Sequence, residues 1–199
     1  MTNSTLSLAT LVGSRICHDL ISPVGAIGNG VELIAMGGPI ETPELNLISE
    51  SVNNASSRIK FFRIAFGVAS PEQTLGAPTV AAIVADAYSE GRHKAEWQAE
   101  GDIIRAEVQA AFLTLLCIET ALPRGGMMTV QREGNSFSFQ GTGDRVNCDP
   151  DLWGALTGAA TPADLKPAHV QYALLPEVIS GLGRALAFDS SDTTINVTF

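Results

Sequence analysis

The residues best suited to chemistry lie near the start of the chain, in the segment RICHDLISPVGAI that begins at Arg15. His18 is followed directly by Asp19, and Pro23 comes five residues after the histidine. A neutral imidazole is a good nucleophile near pH 7. The segment therefore predicts nucleophilic chemistry centred on His18, provided that the surrounding structure leaves the imidazole accessible.

A long amphipathic helix is predicted to carry this histidine. Apolar residues recur at steps of three and four from Leu8 to Ile34, which is typical of one face of a helix. His18 falls half a turn from that apolar stripe, so we expect its side chain to face outward. Its neighbours on the same face are small or basic and leave room for a bulky partner: Ser14, Arg15, Ser22 and Gly25.

Pro23 is unusual because it lies inside this helical pattern. An interior proline costs about 3 kcal/mol, since it removes one backbone hydrogen bond and clashes with the carbonyl four residues earlier. Here that carbonyl belongs to Asp19, so we predict a bend one turn past His18. A costly irregularity beside an accessible imidazole indicates a functional site.

Other chemistries suit these residues less well. The side chains of Cys17 and His18 diverge on a helix, which disfavours both a shared metal ion and a Cys–His dyad. His93 and His169 have no second ligand at metal-binding spacing, and no hydrolase, zinc-protease or phosphate-loop motif occurs. The three cysteines form no CxxC pair and no disulfide framework, which fits a reducing cytoplasm.

Composition excludes further classes of partner. The 199 residues carry a net charge of −9, whereas binding to a phosphate backbone needs clustered lysines and arginines. We therefore expect no nucleic acid partner. No run of 18 apolar residues occurs and the N-terminus lacks the features of a secretory signal, so we expect no membrane association.

Residues 1–72 are predicted to form a helical hairpin. The first helix should end at Gly37–Pro39, and a second apolar stripe runs from Leu45 to Ala69. Its steps alternate between three and four residues, which is typical of a heptad seam. Two antiparallel helices cannot bury both stripes alone. We therefore predict a homodimer in which two hairpins form a four-helix bundle.

Residues 73–199 carry the pattern of an α+β domain. The stretches MMTVQRE and SFSFQGTG flank Gly134-Asn135, which predicts a β-hairpin. The C-terminal stretch RALAFDSSDTTINVTF predicts a second hairpin. Apolar runs between them, above all RAEVQAAFLTLLCIETAL, predict helices on one face of a largely antiparallel sheet. The predicted fold class is therefore α+β.

The segment CHDLISPVGAI followed by NGVELI resembles the phosphoacceptor helix of histidine kinases. That signature is a histidine, an acidic residue, two variable positions, a polar residue and a proline, matched here by His18, Asp19, Ser22 and Pro23. The phosphotransfer domain of that family is also a helical hairpin that dimerises into a four-helix bundle. The resemblance implies that His18 accepts a phosphoryl group, that Asp19 orients its ring, and that Ser22 hydrogen-bonds locally.

The second domain resembles the ATPase-like α/β sandwich of the same kinases in a degenerate form. FLTLLCIETALPRGG looks like the helix whose asparagine holds magnesium, but Thr114, Cys117 or Ile118 occupies the candidate position. Asp144 follows the glycines of GTGDR instead of preceding them. The glycines of GLG at 181–183 lie at the C-terminal end of a helix, which repels phosphate. We therefore expect no ATP binding and no resident cofactor or metal.

A kinase-like body without ATP machinery is similar to the ChpT-type histidine phosphotransferases of alphaproteobacteria, over nearly the whole chain. The resemblance implies a cytoplasmic, dimeric relay in cell-cycle regulation. It would take a phosphoryl group from the receiver domain of a hybrid histidine kinase and pass it to receivers of response regulators, including those of the CtrA type. Mg²⁺ would come with the receiver. Two alternatives stay open: an atypical ATP-dependent histidine kinase, and a dimeric scaffold that binds receivers without chemistry.

The second helix is predicted to supply a docking surface. In an antiparallel hairpin that turns near residue 40, the level of His18 meets roughly residue 61. Basic residues at that level would steer an acidic receiver, and an exposed aromatic would anchor it. The residues predicted to contact the partner or the phosphoryl group are Arg15, Arg58, Lys60, Phe61 and Arg63.

Overall fold

The computed structural model describes residues 2–35, 42–70, 72–159 and 164–199. Two helices, α1 (Thr2–Ala35) and α2 (Thr42–Ala65), pack along each other as the predicted hairpin. Helix α1 continues as one helix through Pro23. The predicted break at Gly37–Pro39 lies outside the described residues.

Among the described residues, the second part of the chain contains four helices and a mixed five-stranded sheet, which confirms the α+β prediction. The five-stranded sheet has the order β2-β4-β5-β7-β6, in which β2 and β4 are parallel and the other pairs antiparallel. A small antiparallel sheet of β1 and β3 was not predicted. The helices are α3 (Ala77–Ala87), α4 (Arg105–Ala121), α5 (Pro150–Leu156) and α6 (Gln171–Gly181), and a 3₁₀ turn covers Pro167–His169. The strands are β1 (Thr74–Gly76), β2 (His93–Trp97), β3 (Asp102–Ile104), β4 (Gly126–Glu133), β5 (Ser136–Thr142), β6 (Ala187–Ser190) and β7 (Thr194–Thr198).

Local sequence explains where several elements begin and turn. Gly134 adopts a positive φ of 58° in the two-residue turn that joins β4 to β5, a conformation that glycine reaches without steric cost. Asp149 caps α5, because its carboxylate accepts hydrogen bonds from the backbone amides of Asp151 and Leu152. Pro150 follows at the first helical position, where its missing N–H costs nothing.

The helical hairpin and the sheet share one hydrophobic core. Phe62, Ile64 and Ala65 at the end of α2 are buried in the same cluster as α4 and the central strands. Arg105 on α4 donates from Nη2 to the backbone oxygen of Arg63 at 2.8 Å. Gln109, also on α4, donates to the backbone oxygens of residues 65 and 67. These bonds satisfy carbonyls at the C-terminal end of α2, so α4 holds α2 by side chains as well as by packing. The domain boundary at residues 72 and 73 stays a prediction, and the core extends across it.

The prediction that Phe61 is an exposed anchor for a partner is wrong. Its side chain is fully buried, with its ring stacked on Phe112 at a centroid distance of 4.4 Å and edge-on to Tyr88 at 5.8 Å. That prediction assumed that α2 packs only on α1 and on the hairpin of a second protomer. Helices α3 and α4 cover the remaining side of α2, which turns the position of Phe61 into core.

The hairpin nevertheless leaves several large apolar side chains exposed. The residues of the predicted heptad seam of α2 differ in burial. Ala55 and Phe62 are buried within the chain, whereas Ile59 is half-exposed. Exposed apolar side chains occur on both helices: Ile21, Val24, Val31 and Leu33 on α1, and Leu45, Leu47, Val52 and Ile59 on α2.

Candidate functional site

His18 lies on the outer face of α1 with its imidazole open to solvent. The side chain is 85% exposed, as its position half a turn from the apolar stripe predicts. Its Nδ1 lies 3.1 Å from Oδ1 of Asp19. A carboxylate accepts hydrogen bonds, so in a neutral ring this contact favours the tautomer that carries its proton on Nδ1. In that tautomer the lone pair is on Nε2, which is then the nitrogen available as a nucleophile.

Asp19 is held by a second contact that involves Arg15. The guanidinium of Arg15 donates from Nε to Oδ2 of Asp19 at 3.0 Å, and from Nη1 to the backbone oxygen of Ala168 at 2.7 Å. The side chains of Arg15 and Asp19 are only 12% and 17% exposed. Arg15 was predicted to contact the phosphoryl group, but in this structure its guanidinium is already engaged by two acceptors.

His18 and Asp19 line an open cleft of about 480 Å³ between the hairpin and the second part of the chain. Its walls come from α1, from the middle of α2, from the loop after α3 and from the end of α4. The bond from Nδ2 of Asn54 to Oε2 of Glu90, 3.1 Å long, joins α2 to that loop. The lining residues are Arg15, His18, Asp19, Ser22, Pro23, Ala26, Leu47, Glu50, Ser51, Asn54, Arg58, Glu90 and Glu119.

The predicted basic surface is only partly assembled around His18. Arg58 lines the cleft, but Lys60 and Arg63 line neighbouring cavities near Asp86 on the side of α2 that faces α3. The α2 residues that share the cleft with His18 lie between 47 and 58, earlier in the helix than the predicted level of residue 61. Ser22, the other predicted site residue, lies in the cleft wall. Four carboxylates, of Asp19, Glu50, Glu90 and Glu119, accompany the two arginines of the cleft.

Arg58 reaches the cleft over a buried tyrosine. Its guanidinium carbon lies 5.9 Å from the ring centre of Tyr88, within the range of a cation–π contact. The Tyr88 hydroxyl donates to Oε2 of Glu119 at 3.1 Å. Burial, followed by the nearby Glu119 carboxylate, raises the pKa of Tyr88 well above its ordinary value, so this phenol stays protonated. The sequence does not point to Glu90 and Glu119, because only the tertiary fold brings them into the cleft of His18.

The other titratable candidates are occupied or enclosed. Nε2 of His93 contacts the backbone oxygen of Leu122 at 2.8 Å. Burial and then Lys166 lower the pKa of His169. Burial raises the pKa of the Cys117 thiol. Within the part of the chain that the structure describes, no group of three or more His, Cys, Asp or Glu side chains could hold a metal ion. No helix among those residues is long and apolar enough to cross a membrane.

Comparison with known proteins identifies the family of the chain. The family model of the histidine phosphotransferase C-terminal domain matches residues 77–194, which assigns the chain to the phosphotransferases. Protein phosphotransferase ChpT of Brucella abortus (strain 2308) is 34% identical over 183 residues, covering 88% of this chain and 87% of that protein. A solved bacterial phosphotransferase superposes with a TM-score of 0.83 at 30% identity, over 100% of this chain and 98% of the other. The chain therefore belongs to the ChpT-like histidine phosphotransferases and is a phosphotransferase enzyme.

Proposed function

We propose that this phosphotransferase acts in a two-component phosphorelay through His18. The imidazole would take a phosphoryl group from an aspartyl phosphate on the receiver domain of a hybrid histidine kinase. It would then pass the group to receivers of response regulators, with CtrA-type cell-cycle regulators as the expected class. The observation that carries the proposal is the exposed His18 imidazole, whose Nδ1 is bound to Asp19 and whose Nε2 is left as the nucleophile.

The chemistry needs only groups that this chain and a receiver supply. The Nε2 lone pair of His18 attacks the phosphorus of the aspartyl phosphate, and an N–P bond forms as the acyl P–O bond breaks. The receiver's aspartate leaves as a carboxylate. In the second transfer, a carboxylate oxygen of another receiver attacks the same phosphorus and the imidazole leaves as a neutral ring.

Asp19 supports both steps as a carboxylate, without accepting a proton. The phosphorylated ring keeps its proton on Nδ1 and carries a positive charge, which the adjacent carboxylate stabilises. A carboxylate fixed before the reaction acts as a preorganised electrostatic group. Removing its charge should therefore slow transfer, even if an amide at residue 19 preserves the shape of the site.

The partner surface of the proposal is centred on the cleft. Arg58 is the basic side chain placed to contact an incoming acidic receiver or the phosphoryl group, with Ser22 beside it in the wall. Exposed Lys60 and Arg63 lie further along α2, where they would act by long-range attraction more than by contact. Mg²⁺ would arrive in the acidic pocket of the receiver, so this chain would contribute no metal ligand.

A homodimer is part of the proposal. The exposed apolar side chains of α1 and α2 are numerous for a free surface, and a second hairpin that packs against them would complete a four-helix bundle. Ile59→Asp tests this interface directly, because Ile59 is half-exposed within the chain. Phe62→Asp does not, because the buried charge would disrupt the core of the single chain.

The decisive experiment follows radiolabelled phosphoryl from a phosphorylated receiver onto this protein. His18→Ala should abolish labelling, whereas the matched control His93→Gln should label like the unaltered protein. Labelling of the His18→Ala variant would refute the assignment. A receiver that binds the unaltered protein and the His18→Ala variant equally, but transfers label to neither, would instead favour the scaffold alternative.

Mg-ATP distinguishes the remaining alternative, an ATP-dependent kinase. The α4 positions at which a magnesium-binding asparagine was sought hold Thr114, Cys117 and Ile118, and all three side chains are buried. The Thr114 hydroxyl donates to the backbone oxygen of Ala110 within the same helix. We expect no heat of binding when Mg-ATP is titrated into the protein. Micromolar binding together with autophosphorylation would establish the kinase function.

A further inference from the structure

We infer that the second part of the chain sets the tautomer of the His18 imidazole, and that Arg15 is the positioning residue through which it acts. The 3₁₀ turn Pro167–His169 would fix Arg15, Arg15 would fix Asp19, and Asp19 would hold the ring proton of His18 on Nδ1. This inference rests on the proposed role of His18 as phosphoacceptor. It changes the predicted role of Arg15 from contact with the phosphoryl group to support of the nucleophile.

Three contacts in series carry the inference. The backbone oxygen of Ala168 accepts from Nη1 of Arg15 at 2.7 Å, across 153 residues of chain. Nε of Arg15 donates to Oδ2 of Asp19 at 3.0 Å. Nδ1 of His18 lies 3.1 Å from Oδ1 of Asp19, where the Nδ1–H form can donate to it. Each carboxylate oxygen has its own partner, so the carboxylate cannot rotate without breaking one of the two bonds.

The far end of this series is firmly anchored in the core. Gln171, the first residue of α6, lies two residues after the 3₁₀ turn and is fully buried. Its Nε2 donates to Oγ1 of Thr120 at 3.1 Å and to the backbone oxygen of Leu116 at 3.4 Å. Tyr172 is fully buried too, and its hydroxyl donates to the backbone oxygen of Cys117 at 3.1 Å. These bonds tie the start of α6, three residues after Ala168, to helix α4.

The functional consequence follows from the chemistry of imidazole. A neutral ring can carry its single proton on either nitrogen, and only the nitrogen without the proton can attack phosphorus. Asp19 selects the productive form only while its Oδ1 stays beside Nδ1 of His18. Arginine suits the position of Arg15, because its planar fork serves two acceptors in fixed directions, whereas a lysine ammonium is a single point charge on a flexible stem.

The test measures the ring nitrogens of His18 directly by ¹⁵N NMR in the full-length, unphosphorylated protein at a pH where the ring is neutral. Unaltered protein should show the Nδ1–H form. Arg15→Lys and Arg15→Ala should both shift the ring toward the Nε2–H form and slow transfer by about ten- to a hundredfold. Arg92→Ala is the matched control, because exposed Arg92 lines the cavity next to Arg15 and should leave the tautomer unchanged.

A variant remote from His18 tests the contribution of the second part of the chain. Gln171→Met keeps the side-chain volume but removes the bonds to Leu116 and Thr120, so it should move the tautomer in the same direction as Arg15→Lys. If the Arg15 variants transfer slowly while the ring stays in the Nδ1–H form, Arg15 contacts the phosphoryl group and the inference is wrong. If the tautomer of His18 is unchanged in folded Gln171→Met, the second part of the chain does not set it.

These outcomes are distinguishable from failure of the proposed function. Transfer that persists in His18→Ala refutes His18 as the phosphoacceptor, whatever the tautomer does. Circular dichroism at matched protein concentration checks that each variant is folded. Arg15→Lys retains the charge and most of the side chain, so it provides a folded test if Arg15→Ala is unstable.

Discussion

Phe61→Ala should destabilise the whole chain and not merely weaken a docking surface. The ring is fully buried and stacks on Phe112 at 4.4 Å, so truncation leaves a cavity at the junction of α2, α3 and α4. Buried Phe→Ala changes typically cost about 3–5 kcal/mol. Since domains are stable by only about 5–15 kcal/mol, this is a large fraction of the total. With a urea m-value of about 3 kcal/mol/M, the midpoint should fall by about 1 to 1.7 M.

Urea unfolding followed at once by far-UV circular dichroism and by tryptophan fluorescence measures this effect. Helices α1 and α2 of the hairpin contribute to the far-UV circular dichroism signal. Tryptophan fluorescence reports on the second part of the chain, because Trp97 and Trp153 both lie there. Because Phe61 belongs to a shared core, both signals should move together. Val68→Ala is the control, since Val68 is 95% exposed and its truncation should change stability by less than about 0.5 kcal/mol. An unchanged midpoint with weaker receiver binding would instead restore Phe61 as a surface anchor.

Three further predictions test the proposed surfaces and the burial of the thiols. Ile59→Asp should convert a dimer into a folded monomer in light scattering, and an unaltered mass would place the dimer contact elsewhere. Arg58→Ala should slow receiver transfer more than Lys60→Ala, because only Arg58 lines the cleft of His18; equal rates would contradict this. A thiol reagent should label exposed Cys17 rapidly but Cys117 only on unfolding, because burial raises the pKa of the Cys117 thiol; rapid labelling of both would show that the core opens.

Elements with a strong local pattern could be predicted from the sequence. The hairpin at Gly134-Asn135 requires a residue that tolerates positive φ, and its flanking residues alternate, so the turn and both strands were found together. The small sheet of β1 and β3 was not found. Its strands have only three residues each, too few to establish an alternating pattern, and they pair across the whole of α3 and β2.

The residues of the candidate site also fall into those that local spacing predicts and those that only tertiary packing brings together. His18 and Asp19 could be found because one helical turn holds both residues, so spacing alone brings them together. Phe61 was misplaced because the periodicity of α2 shows that a face is apolar but not which helix covers it. Glu119 and the Ala168 carbonyl could not be found, since each reaches the site only through tertiary packing. A backbone carbonyl, moreover, leaves no trace in residue identity.

The shared core bears on whether this fold suits a relay better than a kinase. A domain that delivered phosphoryl from ATP would have to approach His18 and then withdraw, so that a receiver could reach the same imidazole. Withdrawal here would expose Phe61 and Phe62 and break the bonds from α4 to the end of α2. Exposing two buried aromatic rings costs about 3–6 kcal/mol, a large fraction of a domain's stability of about 5–15 kcal/mol. Because the second part is held in place and the imidazole is 85% exposed, the proposed relay would let successive receivers reach His18 without a conformational change.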